Sequence, residues 1–181
     1  MKKYELIKTG IDGLFRVKAL INFGDVKKGE VGGYVQSEIN LSHFDDAWVF
    51  DDARVSGTAW VSGAARVSGT AQVFDGARVS GTAWVSGTAW VSGAARVSGT
   101  AWVSGAARVS GTARVSGSAR VSGVINYLVD TRGHCFFMSS CGRILAECRN
   151  FTVEEAINHW ANNREAILIV DTLIKLRELQ K

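Results

Sequence analysis

From Ala47 to Gly123 the chain repeats a six-residue unit without insertion, in forms such as ARVSGT, AWVSGA and AQVFDG, and few folds accept such a period. Valine returns at 49, 55, 61, 67, 73, 79, 85, 91, 97, 103, 109, 115 and 121, with alanine always two residues earlier. Side chains alternate along a strand, so Ala and Val face one way while the Trp/Arg and Ser positions face the other. The Gly that follows Ser in most units supplies a turn that a β-carbon would strain. A helix would need apolar spacings of three and four, and would carry a glycine in most of these units at about 1 kcal/mol each relative to alanine. The pattern therefore predicts short strands joined by sharp turns. The register extends back through Val35 and Leu41, with two extra residues before the regular array, giving about fifteen units in all.

Three units make an 18-residue triangular coil, and about five stacked coils, roughly 4.8 Å apart, make a prism near 24 Å tall. Residues 18 apart then share a face. The first face carries Trp48, Arg66, Trp84, Trp102 and Arg120, the second Arg54, Gln72, Trp90 and Arg108, and the third Trp60, Arg78, Arg96 and Arg114. The first is the aromatic face and the third the basic one. Open ends of such a stack invite further pairing and require caps.

The unit V-S-G-T-A-[RW] resembles the hexapeptide motif of left-handed parallel β-helix proteins, a mainly β fold, over nearly half the chain. Left-handedness is implied by that resemblance, with a right-handed solenoid as the alternative. The flanking stretch GLFRVKALINFGDVKKGEVGGYVQSEINLS, followed by AWVFDDARVSG, is similar to the start of phage- and prophage-encoded hexapeptide proteins, some of which are labelled polymer-forming cytoskeletal protein or transferase.

Outside the array, Tyr4 to Thr9 and Leu14 to Phe23 alternate in the manner of a capping hairpin. Lys27 to Gly33 lacks the spacing of a phosphate-binding loop and reads as a turn. After Gly123, VINYLVD, HCFFMSS and RILAECR predict three strands turned at Arg132-Gly133 and Cys141-Gly142. A capping box at Thr152 to Glu155 opens a helix with Val153, Ala156, Ile157, Trp160 and Ala161 on its apolar stripe, ending near Asn162-Asn163. From Glu165 onward, Ala166, Ile169, Leu173 and Leu176 follow a heptad-like spacing with Ile167, Val170 and Ile174 beside them, although AILIV also suits a buried strand. The organisation expected is a β cap over 1–34, a solenoid over 35–123 and a strand-plus-helix module over 124–181 that caps or oligomerises.

The longest apolar run, Ala166 to Val170, is far short of the roughly 20 residues that span a bilayer, and the opening MKKYELIKTG lacks a signal-peptide core. No membrane partner and a cytoplasmic location, the host's if phage-encoded, are the expectation. Three cysteines without a CxxC pair read as reduced thiols.

No histidine occurs inside the array. Acyltransferases of similar fold use a histidine as general base, which leaves His43 as the one enzymatic candidate against a surface turn residue. His159 falls on the helix, and His134 with Cys135, Cys141 and Cys148 does not have the spacing of a zinc ribbon or finger. Serine and threonine at the turns have no neighbouring base, and no flat threonine lattice of an ice-binding type is formed. No catalytic residue, metal or cofactor is expected. The array carries seven arginines against Asp51, Asp52 and Asp75, a net +4 that equals the total for the chain. Basic and aromatic residues interleave, so Arg54, Trp60, Arg78, Trp90, Arg96, Arg108 and Arg114 are candidates to bind nucleotides, single-stranded nucleic acid or anionic glycans. Stacked tryptophans exceed what a monomer usually exposes, which makes Trp48, Trp84 and Trp102, with Ile169, Leu173 and Leu176, candidates for a homotrimer interface. Arginines lying over the indoles are the alternative use of that face. The function expected is a non-enzymatic homotrimeric scaffold engaging a host molecule, including counter-defence by sequestering a nucleotide signal. The alternatives are acyl transfer to a small acceptor and self-polymerisation.

Overall fold

The computed structural model describes residues 2–122, 126–129, 135–138, 143–146 and 149–178. It is a parallel β-solenoid preceded by antiparallel strands and followed by a small sheet with two helices. Strands β1 (Tyr4–Lys8), β2 (Phe15–Ala19) and β3 (Val31–Val35) come first, then thirteen strands of two or three residues, β4 to β16, from Trp48–Val49 to Arg120–Ser122. Every valine and alanine of the expected interior is buried, Val61 and Val67 completely. Trp84 pairs with Trp102 and Arg96 with Arg114, so equivalent rungs stack 18 residues apart as the repeat predicts.

The reason these short strands hold lies in the turns. Trp84 donates its backbone N–H to Ala101 at 2.9 Å, Ser86 to Val103 at 2.8 Å and Thr88 to Gly105 at 2.9 Å, so strand and turn alike bond to the next coil. Such close stacking leaves no room at the corner: a β-carbon on Gly81, whose φ is +69°, would lie 2.8 Å from the carbonyl oxygen of Gly99. At three corners Phe-Asp replaces Ser-Gly, and Asp45, Asp51 and Asp75 take up the left-handed conformation. Asp51 and Asp75 recover part of that cost by accepting the N–H of Gly69 (2.9 Å) and Gly93 (3.1 Å) in the next coil.

The N-terminal strands extend one face of the solenoid. β1 and β2 pair antiparallel, as do β2 and β3, and β3 then runs parallel to the rung at Arg54 with Tyr34 opposite Arg54. Cap and array share one core. Here one expectation is corrected: Trp48 is fully buried rather than outward. The indole lies edge-on to Phe23 (5.3 Å) and Tyr4 (6.2 Å), and Gly32 is flat against it, a β-carbon there falling 2.8 Å from the ring. The outward side of the first rung is the cap's inner wall, so Trp48 is unavailable to another subunit. The Lys27–Gly33 turn is occupied by its own bonds, with Glu30 accepting from the Lys27 N–H and Gly29 donating to Ala19, in keeping with the turn reading.

The C-terminal sheet runs β17 (Asn126–Val129), β18 (Cys135–Met138), β19 (Ile144–Ala146) and β20 (Arg149–Phe151), all antiparallel, one strand more than expected. Helix α1 (Val153–His159) begins on Thr152, whose hydroxyl accepts from Glu155 while the Glu155 carboxylate accepts from Thr152, and it stops before Asn162. Helix α2 (Arg164–Glu178) settles AILIV as helical, its first turn capped by Asn163 accepting from Ala166 at 3.2 Å. Phe136, Met138, Ile144 and Ala146 pack on Ala156, Ala166, Ile169, Val170 and Leu173. The interface expected of Ile169 and Leu173 is therefore corrected, because both side chains lie in the module's own core; Leu176 is half-buried, and Leu168 is the exposed aliphatic of α2. The expected turns at 132–133 and 141–142, with His134, Cys141 and Cys148, lie outside the described residues.

Candidate functional site

The three faces differ in how their outward residues are partnered. On the first, Trp84 and Trp102 stack with centroids 5.0 Å apart and planes 1° from parallel. Arg66 covers one end at 5.3 Å from Trp84, and Arg120 covers the other at 5.1 Å from Trp102. Arg66 is also paired with Asp25. The indole faces are thus enclosed in an Arg-Trp-Trp-Arg column, and the exposed surface of Trp84 (38%) and Trp102 (40%) is the ring edge rather than a stacking platform. The expectation of arginines over indoles is met here.

The second face is similarly satisfied. Arg16 lies over Tyr34 at 4.6 Å and donates to Asp52 at 2.7 Å, while Arg54 approaches the same tyrosine at 5.8 Å. Arg108 covers Trp90 at 5.0 Å, and Phe74 meets that indole edge-on at 6.0 Å. Of the candidate ligand-binding set, Arg54, Trp90 and Arg108 therefore already hold partners.

The remaining four, Trp60, Arg78, Arg96 and Arg114, are brought into one file on the third face, in register from rung to rung. All are exposed, Trp60 by 45%. Among the described residues, none of these three guanidiniums meets a carboxylate, a ring or a hydrogen-bond acceptor, and no cation or ring lies over Trp60. Rungs about 4.8 Å apart hold like charges well inside the screening distance of roughly 8 Å at physiological salt, so the row repels itself until an anion joins it. The sequence identified this face as the basic one. Position explains why Arg96 and Arg114 lack the rings serving the other faces, since no aromatic residue stands in the rungs beside them, whereas Arg78 adjoins Trp60 without lying over it.

The histidines are placed elsewhere. His43 stacks on Tyr4 at 4.1 Å, its Nδ1 accepts from the Lys3 N–H at 3.3 Å, and its Nε2 is buried without a partner. Burial holds its pKa below the ordinary value, against the opposing pull of Glu38. His159 ends α1 against Phe151 (5.0 Å) and Trp160 (4.9 Å). Among the described residues no three His, Cys, Asp or Glu side chains gather as a metal set, and no helix is long and apolar enough to cross a membrane.

Sequence reasoning missed the polar end cap. Lys3, nearly fully buried, donates to the carbonyls of Ala47 (2.9 Å), Asp45 (3.2 Å) and Phe44 (3.4 Å), and desolvation lowers its pKa to about 8 although Asp46 and Asp45 pull it upward. Asn40 donates to Gly57 (3.0 Å) and Ala59 (2.9 Å) and accepts from Ser37 (2.9 Å) and Gln36 (3.1 Å). The only sequence signal was the two-residue irregularity between Leu41 and the array.

No curated protein matches the chain. A family model described as the YdcK beta solenoid repeat matches residues 107–123, nearly one coil, so the end of the array is similar to that repeat and the solenoid reading gains support from outside the chain.

Proposed function

We propose that the chain is a non-enzymatic binding scaffold whose third face takes an anionic ligand of nucleic-acid chemistry. The observation that carries this reading is the row of three guanidiniums beside an indole, all without partners among the described residues, while the other solenoid arginines are stacked or paired. Guanidinium binds phosphate through paired N–H donors, and the rigid stack fixes the spacing of the three side chains so that no backbone ordering is required at binding. The resemblance to phage proteins gives this scaffold a setting, capture of a host nucleotide signal in the cytoplasm as a counter-defence. Acyl transfer is disfavoured because the Nε2 of His43 is enclosed by the cap, away from any acceptor in solvent.

We further propose that three copies associate through the first face at the indole edges of Trp84 and Trp102. The test compares charge reversals of equal size on two faces. Arg96→Glu is expected to lower the salt needed to elute the protein from immobilised heparin much more than Arg108→Glu, whose parent side chain already covers Trp90. Equal shifts would reduce the effect to net charge and overturn the third-face reading. Light scattering of the same samples is expected to give three times the 19.5 kDa protomer mass at every concentration. A mass that climbs with concentration would favour a polymer.

A further inference from the structure

We infer that the third face is a track for single-stranded nucleic acid, with backbone phosphates on Arg78, Arg96 and Arg114 and a base stacked on Trp60. This rests on the anion-binding reading of that face and narrows it.

Four rungs in register set the geometry: Trp60 opposite Arg78, Arg78 opposite Arg96, and Arg96 opposite Arg114. At about 4.8 Å per rung the file runs roughly 14 Å along the solenoid axis. A single phosphate reaches only part of such a row, whereas a ligand with charge repeated along its length engages all of it. The indole then discriminates among polyanions. A polysulfate matches the arginines and leaves Trp60 unused. A duplex matches the arginines too, but its bases are paired and stacked inside, with none to offer to the ring. A single strand supplies both a repeated phosphate and a free base face, the combination that sequence-tolerant single-strand binders exploit. Trp60 is the indole suited to this: Trp84, Trp102 and Trp90 carry a guanidinium over one face and a second ring beside them, and Trp48 is inside the cap.

The experiment is fluorescence anisotropy of the full-length protein with a labelled twelve-nucleotide oligothymidylate, across a salt series, beside dTTP, a duplex of equal length and heparin as competitors. Three phosphate contacts on a single strand give a log K against log salt slope of about −2, and Arg96→Gln lowers its magnitude by about 0.7. Trp60→Ala weakens binding at least fivefold with the slope unchanged, and Trp60→Phe restores most of the loss. Thermal melts confirm that each variant folds, as expected for exposed side chains.

Binding that ignores Trp60→Ala, or is matched by duplex or heparin, overturns the single-strand track and leaves the anion-binding face standing. Equal affinity for dTTP overturns the polymer and returns the ligand to a compact nucleotide. Absence of binding to oligothymidylate, dTTP and heparin alike overturns both.

Discussion

The middle coils and the first coil are made from the same hexapeptide, yet they are held together differently. In the middle, Ala101 accepts from Trp84 and Gly99 from Thr82, backbone to backbone, and the interior is alanine and valine alone. Beneath the first regular coil the parallel pairing continues only in part, at Tyr34 and Val35 under Arg54 and Val55 and at Leu41 under Val61, and the stretch between them is irregular. Gly57 and Ala59, which occupy the equivalent acceptor positions, are served by the Asn40 side chain, Gly57 donates to Gln36 at 2.6 Å, and Lys3 closes the carbonyls near Ala47. Lys3 and Asn40 are the buried polar residues among those described. A stack of identical layers solves each internal interface with one rule, whereas its end must imitate the missing layer with side chains used once.

The largest effect should come from breaking that imitation. Asn40→Leu leaves two carbonyls and two amides without their partner and is expected to destabilise by about 3–5 kcal/mol in chemical denaturation, with loss of the cap's protection from hydrogen exchange. A cost below about 1 kcal/mol would mean that water replaces the amide and that the two regions are held alike.

Next is the middle of the array. Gly81→Ala combines a positive φ with backbone 2.8 Å from the added carbon and should cost about 2–4 kcal/mol, while Gly10→Ala, with nothing within 4 Å, should leave the melting temperature nearly unchanged. A similar loss at both glycines would deny that coil spacing is what the corner residues protect.

The smallest effect is a pH dependence confined to the cap. With the Lys3 pKa lowered to about 8 from an ordinary 10.5, the folded chain releases a proton that the unfolded chain keeps between those values, so Lys3 makes stability rise with pH across that window. Tyr4 acts oppositely above about pH 10, because burial raises its pKa and the unfolded chain ionises first. Lys3→Met should remove the rise and keep the alkaline fall; an unchanged profile would show that the ammonium is hydrated.

These contrasts also explain what could be read in advance. Rung register, the inward Ala and Val set, and the membership of each face all followed from a local rule repeated thirteen times, and Val61 and Trp84 sit where it put them. Trp48 shares the A-W-V unit of Trp84 and Trp102, and the Phe-Asp corners that flank it do not by themselves signal burial, which depends on Tyr4, Phe23 and Gly32, distant in sequence. Ile169 and Leu173 were correctly assigned to an apolar stripe, but a stripe does not say whether its cover is the chain's own sheet or a neighbour. The division of the arginines into stacked and free was half-legible, since the files were known and the partners Tyr34 and Asp25, contributed by the cap, were not.

Register at 18 residues also fixes how such a molecule can change length. Duplicating or deleting one whole turn between Arg78 and Arg114 keeps every flank as it was and alters the free guanidinium row by one member. Adding a lone hexapeptide would instead rotate everything beyond it by a third of a revolution, carrying arginines onto the tryptophan side. Growth by recombination is therefore quantised, and the capacity of the row is a count that gene duplication can adjust without redesigning either end.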